Sequence, residues 1–304
     1  EIKKNTEEAL VFFRLGDFYE LFFEDAKIAS RVLDLVLTAR GGGEDAIPMC
    51  GVPHHAAKSY IQKLVSNGYK VAIVEQVEDP KEAKGLVKRE VVEIVTPGTY
   101  FEMDDNEARE IASISQDLVY ASIVSCNVMS GHLRGIRVMN EDAEIIKHLQ
   151  QFQVKELVVK ENVNPKLIQK IQENTDIYIS YHEQQKEGLF HEDPFFNEAL
   201  QSLLSYLEGT QKSALIHLNE LEVLNEQDYL KMDYTSMTNL ELIRHDKKQE
   251  LSVYRFMDHT QTSMGSRLLK EVLMRPLVDV QAIEKRHRQI ELFMHNLLLN
   301  DQVK

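Results

Sequence analysis

The stretch Leu15-Gly16-Asp17-Phe18-Tyr19-Glu20-Leu21-Phe22-Phe23 gathers the side chains best suited to chemistry: four aromatics within six residues, beside a carboxylate. Read as a helix capped by Asp17, it places Tyr19, Phe22, Phe23, Ala26, Ser30 and Leu33 on one stripe, which a core would absorb. Phe18 and Glu20 fall to either side of that stripe. The core therefore accounts for them less well, and a ring that can stack next to a carboxylate that can accept hydrogen bonds becomes the candidate contact pair. Two other groupings stand out less. Lys88 and Arg89 are adjacent cations in an acidic neighbourhood, a pattern that is ordinarily solvated surface. His54 and His55 are adjacent, but no nearby Cys or paired carboxylate completes a metal site. Motifs for group transfer are missing: the chain has no Gly-x-x-x-x-Gly-Lys-Ser/Thr phosphate loop and no Gly-x-Ser-x-Gly nucleophile turn.

The elements that must position these residues follow from periodicity. Residues 10–15, 71–75 and 91–95 suit strands, and 17–37 and 56–67 suit helices, the second closing near Asn67-Gly68. Gly41-Gly42-Gly43 and Pro48 mark a turn-rich loop, and Asp104-Asp105-Asn106-Glu107 reads as a surface linker. Apolar runs at 118–125 and 133–139 follow. A helix is then expected at 141–152, a strand at 155–160, a helix at 165–173, a strand at 177–180, and helices at 194–208 and around 210–217. Residues 232–304 read as helical, broken near Pro276.

Composition narrows the class. The 304 residues are 43% hydrophobic and 28% charged, as expected of a soluble globular protein of more than one domain. No apolar run is long enough for a membrane span, and no charged-then-apolar leader opens the chain, whose start without Met implies trimming. Cys50 and Cys126 lie far apart, which points to a reducing cytoplasm. The net charge is −14, spread unevenly. Residues 1–112 carry 14 basic and 21 acidic side chains, 113–231 carry 10 and 18, and 232–304 carry 11 and 10. Strong non-specific binding to nucleic acid rests on phosphate contacts by Lys and Arg, and this distribution argues against it.

The segment Gly16-Asp17-Phe18-Tyr19-Glu20-Leu21-Phe22 closely resembles the mismatch-recognition motif of the MutS family of DNA mismatch-repair proteins. The likeness continues through Ile47-Pro48-Met49-Cys50-Gly51-Val52-Pro53-His54-His55-Ala56, with His54 where an aromatic or aliphatic residue is common, and through residues 68–76, 88–91 and 96–99. Residues 202–207, 210–212 and 239–242 and positions between Thr260 and Leu277 match the later helical part. Glu250 replaces the usual Gly, Val272 stands where Trp is common, and 117–140 match poorly.

The resemblance implies an α/β multidomain fold: a mixed α/β mismatch-recognition domain over 1–112, an RNase H-like α/β connector domain over 113–231, and the start of an all-α core domain over 232–304. It implies Phe18 as a wedge stacked on a mispaired base from the minor groove and Glu20 as the reader that hydrogen-bonds that base. Insertion of an apolar side chain at an easily unstacked step is how many minor-groove binders work. It further implies backbone contacts by His55, Lys88 and Arg89, with structural capping the competing role for His55. The implied partners are mismatched double-stranded DNA, a MutL-type repair protein on the connector, and a second copy in a full-length homodimer, in the cytoplasm at the nucleoid. No catalysis and no cofactor are expected in these residues; ATP and Mg belong to an ATPase domain of the full-length parent. A nuclease use of the connector would need clustered carboxylates, and the expected first strand, 118–128, has none at its centre. The rival reading is a docking module that has lost mismatch reading, against which the intact Phe18 and Glu20 argue.

Overall fold

The computed structural model describes residues 2–6, 8–42, 46–78, 88–100, 110–211, 218–232, 234–243 and 252–296. Its fold is mixed α/β, with two six-stranded sheets followed by helices.

The first sheet is built from β1 (Ala9–Leu15), β2 (Phe18–Phe22), β3 (Thr38–Arg40), β4 (Ile47–Pro53), β5 (Lys70–Gln76) and β6 (Arg89–Val95). They lie in the order β3-β4-β2-β1-β5-β6, antiparallel except for β1 with β5. Helices α1 (Phe23–Leu33) and α2 (Ala57–Ser66) cover one face, where Leu10, Phe12, Tyr19 and Leu21 meet Ala26, Ala29, Leu33, Leu64 and Val65.

Two expectations are corrected here. The single helix over 17–37 is instead strand β2 followed by the shorter α1. Asp17 is no helix cap; it shares a two-residue hairpin loop with Gly16, closed by Leu15 opposite Phe18. Gly16, at φ 57°, holds the first central position, where such a loop needs positive φ. The aromatic residues satisfy helical spacing and strand alternation at once, and pairing with β1 and β4 decides for the strand. The segment around Pro48, expected as loop, is strand β4, paired with β2 and β3.

The second sheet holds β7 (Glu110–Gln116), β8 (Tyr120–Asn127), β9 (His132–Met139), β10 (Val154–Val159), β11 (Tyr178–Tyr181) and β12 (Leu221–Leu224), in the order β11-β10-β7-β8-β9-β12. Antiparallel β7, β8 and β9 form a meander, while β10, β11 and β12 join in parallel. Alternation sorts the two faces. Ala121, Ile123 and Leu157 pack with α3 (Asp142–Gln151) and α4 (Pro165–Asn174), while Val124, Cys126 and Val158 pack with α5 (Pro194–Gln211). This is the α/β order expected of the connector. Strands β7 and β12 were not foreseen, and β7 runs across position 112. The connector's first strand is therefore β7 rather than 118–128. The linker at 104–107 and the helix end at 212–217 lie outside the described residues. Among the described residues the remaining helices are α6 (Tyr234–Asn239), α7 (Val253–Met257), α8 (Ser263–Met274) and α9 (Val280–His295), broken at Pro276 as expected.

The two sheets meet at Glu156, in the middle of β10 and fully buried. Its Oε2 accepts from Thr96 Oγ1 (2.5 Å) and Gly98 N (2.9 Å), just past the end of β6. Its Oε1 accepts from Ser180 Oγ and Tyr206 OH, each at 2.5 Å. Gly98 is required by this approach: a Cβ there would lie 2.7 Å from Glu156 Cβ and 2.9 Å from its Oε2. Gly98→Ala is expected to lower stability by about 1–3 kcal/mol, the usual cost of overpacking. Urea unfolding checks this, and an unchanged midpoint would mean that the turn does not seat on Glu156.

Candidate nucleic-acid interface

Strand alternation in β2 turns Tyr19 and Leu21 into the core and leaves Phe18, Glu20 and Phe22 on the opposite face. Phe18 sits at the open end of the sheet, flanked by Leu15 and Pro53, and is 48% exposed. Glu20 lies two residues on, between Phe13 of β1 and Gly51 of β4. Gly51 puts no side chain beside it, whereas Phe13 borders its other side, and the Glu20 side chain is 22% exposed. Among the described residues its buried Oε2 has no hydrogen-bond partner, and Arg40 Nη1 lies 3.8 Å from it. The wedge and reader candidates therefore share one face of one strand, a placement that a helix would not have produced.

The core side of β2 holds this pair in place. Tyr19 packs on Phe12, with ring centroids 5.8 Å apart, and its hydroxyl bonds the Glu75 carboxylate. Burial first, then the bond to Glu75, raises its pKa, so the phenol stays protonated as the donor. His54 N donates to Asp17 O at 2.8 Å, and the His54 ring lies 5.4 Å from that of Tyr19. The hairpin loop bearing Phe18 is thus pinned to the end of β4.

The other candidates divide. His55 is exposed in a single 3-10 turn, His54–Ala56, directly after Pro53, the strand neighbour of Phe18. No side-chain cap is formed at the start of that turn. Arg89, the first residue of β6, leans over the Phe13 ring at 5.4 Å and donates from Nε to Arg14 O at 3.2 Å. Because Phe13 stands opposite Glu20, the Arg89 side chain lies on the same face as Phe18 and Glu20. Lys88 is exposed, with Nζ 2.6 Å from Glu90 Oε1, and that contact raises its pKa. Its charge is already matched by Glu90.

Sequence reasoning missed Arg40 and Phe13. Arg40 reaches Glu20 only because the β3–β4 hairpin folds it there, and no local pattern announces that. Phe13 could have been found from alternation in β1, where Phe12 is buried and Phe13 partly exposed. Phe23, assigned to the core stripe, is 61% exposed and takes φ 54° where β2 passes into α1. In the second sheet, the carboxylates on β7 and β10 are already engaged. Glu110 meets Arg134 Nη2 at 2.8 Å, and Glu156 holds its four donors. Neither is arranged as an open metal-binding pair for nuclease chemistry. The face of the first sheet instead combines an exposed ring, an acceptor with an unused oxygen and two arginines, a set suited to stacking, hydrogen bonding and phosphate contact rather than bond breaking.

Comparison with known families matches MutS domain I to residues 1–104 and MutS domain III to residues 235–304. The DNA mismatch repair protein MutS of Staphylococcus haemolyticus (strain JCSC1435) is 42% identical over 316 residues, covering 100% of this chain and 35% of that protein. The MutS proteins of Macrococcus caseolyticus (strain JCSC5402) and Shouchella clausii (strain KSM-K16) are 41% and 40% identical, again over the whole chain and 36% of each protein. The chain spans about a third of the length of these curated relatives.

The strand placement makes a paired prediction about stability. Leu21→Ala is expected to cost about 2–5 kcal/mol, because the side chain is fully buried. Phe18→Ala is expected to stay within about 1 kcal/mol of the parent, since half of the ring already faces solvent. Denaturant melts of both variants decide it; equal losses would contradict the alternation.

Proposed function

The chain belongs to the MutS family of DNA mismatch-repair proteins, and from that premise we propose that residues 1–112 read mispaired or unpaired bases in duplex DNA, with Phe18 as the wedge and Glu20 as the base contact. One observation carries this reading: a half-exposed ring stands two residues from a largely covered carboxylate, on the same face of one strand, and one buried oxygen of that carboxylate has no hydrogen-bond partner among the described residues. From the minor groove, Phe18 inserts at a base step and stacks on the displaced base. A mispaired step yields at lower cost than a paired one, so the energy of unstacking and bending itself discriminates.

Glu20 adds a second sieve. Phosphate repulsion and loss of water both disfavour a carboxylate in the groove. A displaced base that bonds it, or a proton taken up, offsets that penalty, whereas ordinary duplex offers neither. Arg40 beside Glu20 and Arg89 farther along the same face supply positive charge toward the backbone, with His55 at the end where Phe18 lies. Lys88 contributes less, because Glu90 already holds it. With a net charge of −14, these contacts position the duplex rather than grip it.

The same reading assigns ATP and Mg to a nucleotide-binding domain outside these residues, tight grip on DNA to a homodimer of a longer protein, and a MutL-type partner to the connector sheet. The chain itself is a recognition module and not an enzyme. A docking role without mismatch reading is the second possibility. It is favoured by the exposed loop before β8, where Leu118 is 99% exposed beside Val119 and Tyr120.

Affinities for a G·T heteroduplex and its homoduplex, at one fixed salt concentration, separate these readings. Phe18→Ala is expected to lose the mismatch preference, by about 1–3 kcal/mol of stacking, with homoduplex binding nearly intact. Glu20→Gln is expected to raise homoduplex affinity more than heteroduplex affinity, so that discrimination falls while overall binding improves. Unchanged affinity ratios in both variants would leave only the docking role.

A further inference from the structure

Helix α3 carries Glu144 and His148 one turn apart, and therefore on one side. The short turn Glu226–Asp228, which follows β12, brings Glu226 to the same place from far along the chain. The three donor atoms lie within 4.8 Å of one another. His148 Nε2 is 3.8 Å from Glu144 Oε2 and 3.6 Å from Glu226 Oε1. His148 is only 3% exposed, and among the described residues neither of its ring nitrogens has a hydrogen-bond partner. A polar ring taken out of water with both nitrogens unused is costly and calls for an explanation. A cavity of about 20 Å³, room for a single water, opens beside it, lined by His148 and Glu226 together with Gln151, Tyr229 and Arg275.

We propose that Glu144, His148 and Glu226 form a site for one divalent transition-metal ion, zinc being the best match to one imidazole and two carboxylates, with a water completing the shell. The geometry is close already. Tetrahedral zinc with bonds of about 2.0–2.2 Å sets its ligand atoms about 3.4 Å apart. The two distances from His148, 3.6 and 3.8 Å, need a contraction of a few tenths of an ångström, and the two carboxylate oxygens lie within 4.8 Å of each other.

Lys147 completes the picture as the ion's competitor. Its Nζ lies 2.6 Å from Glu144 Oε2 and 3.0 Å from Glu226 Oε1, the same two oxygens that face His148. The ammonium balances part of the carboxylate charge and contributes no bond to the imidazole. An entering divalent ion takes over both oxygens, gains the ring nitrogen and releases the long Lys147 side chain toward solvent. The bound ion ties α3 of the connector to the turn that leads into the helical region. The sequence holds only half of this signal, the Glu144–His148 spacing; the third ligand is supplied by the fold.

The test uses the whole 304-residue chain, stripped with a chelator and then titrated with Zn²⁺ against a chromophoric competitor. Co²⁺ absorption reports the coordination geometry. One ion per chain and a raised melting temperature are expected. Glu226→Gln and His148→Gln are expected to weaken binding by at least about tenfold. Lys147→Met is expected to tighten it, because it removes the competing cation, an effect that a purely structural salt bridge would not produce. If His148→Gln fails to fold, Glu226→Gln and Lys147→Met still decide, since both side chains reach the surface. No binding, binding that survives Glu226→Gln, or an affinity unmoved by Lys147→Met would each overturn the site.

Discussion

Glu156 is a charged side chain with no solvent exposure, placed where two domains touch, and its two oxygens are filled by four donors from three separate parts of the chain. Thr96 and Gly98 come from the first domain, Ser180 from the edge strand β11 of the connector, and Tyr206 from α5. A buried carboxylate is tolerable only when such bonds replace its water. Because hydrogen bonds are directional, the arrangement admits one seating of the first sheet on the second, where an apolar contact would allow sliding. Lys70 strengthens the same seam: its ammonium bonds Glu8 at 2.8 Å and lies 5.5 Å from the Tyr206 ring and 6.0 Å from that of Tyr178. The face bearing Phe18 and Glu20 is therefore held at a defined angle to the connector.

The connector is joined to the helical region by similar means. Arg134, buried in β9, bonds Glu110 on one side and Glu271 of α8 on the other, both at 2.8 Å. Arg275 meets the same Glu271 at 2.7 Å, and both guanidinium groups lie over the Phe152 ring, at 5.2 and 5.1 Å. Burial raises the pKa of Glu110, and the charge of Arg134 opposes it. Charges are thus spent on the seams between domains, which is consistent with a surface of net negative charge. Among the described residues the candidate DNA face carries Arg89 set against the Phe13 ring and Arg40 beside Glu20.

Legibility from sequence varied with the range of the contacts involved. Helices α2 to α5 were readable because each follows a local 3.6-residue pattern with its own boundary, such as the Asn164 cap before Pro165 or Gly68 at φ 81° after α2. Strands β7 and β12 were not readable, since Ile111 and Leu221 pair with residues far along the chain and show no strong local signature. The aromatic run at 18–23 misled for a definite reason. Over so few residues the two periodicities overlap, and only the partners Leu15, Phe13, Gly51 and Pro53 separate them.

The sequence by itself determined the kind of chemistry: an aromatic and a carboxylate two positions apart in a family motif, no nucleotide loop, and two α/β units before a helical region. Tertiary structure alone decided the arrangement. Pairing of β2 put Phe18 and Glu20 on one face, and the β3–β4 hairpin brought Arg40 to Glu20. The turn after β6 reached Glu156, and Glu226 reached His148. Side-chain type is a property of each residue, so it can be read in order along the chain. Proximity across a sheet or between domains depends on register and burial, which exist only once distant segments have met.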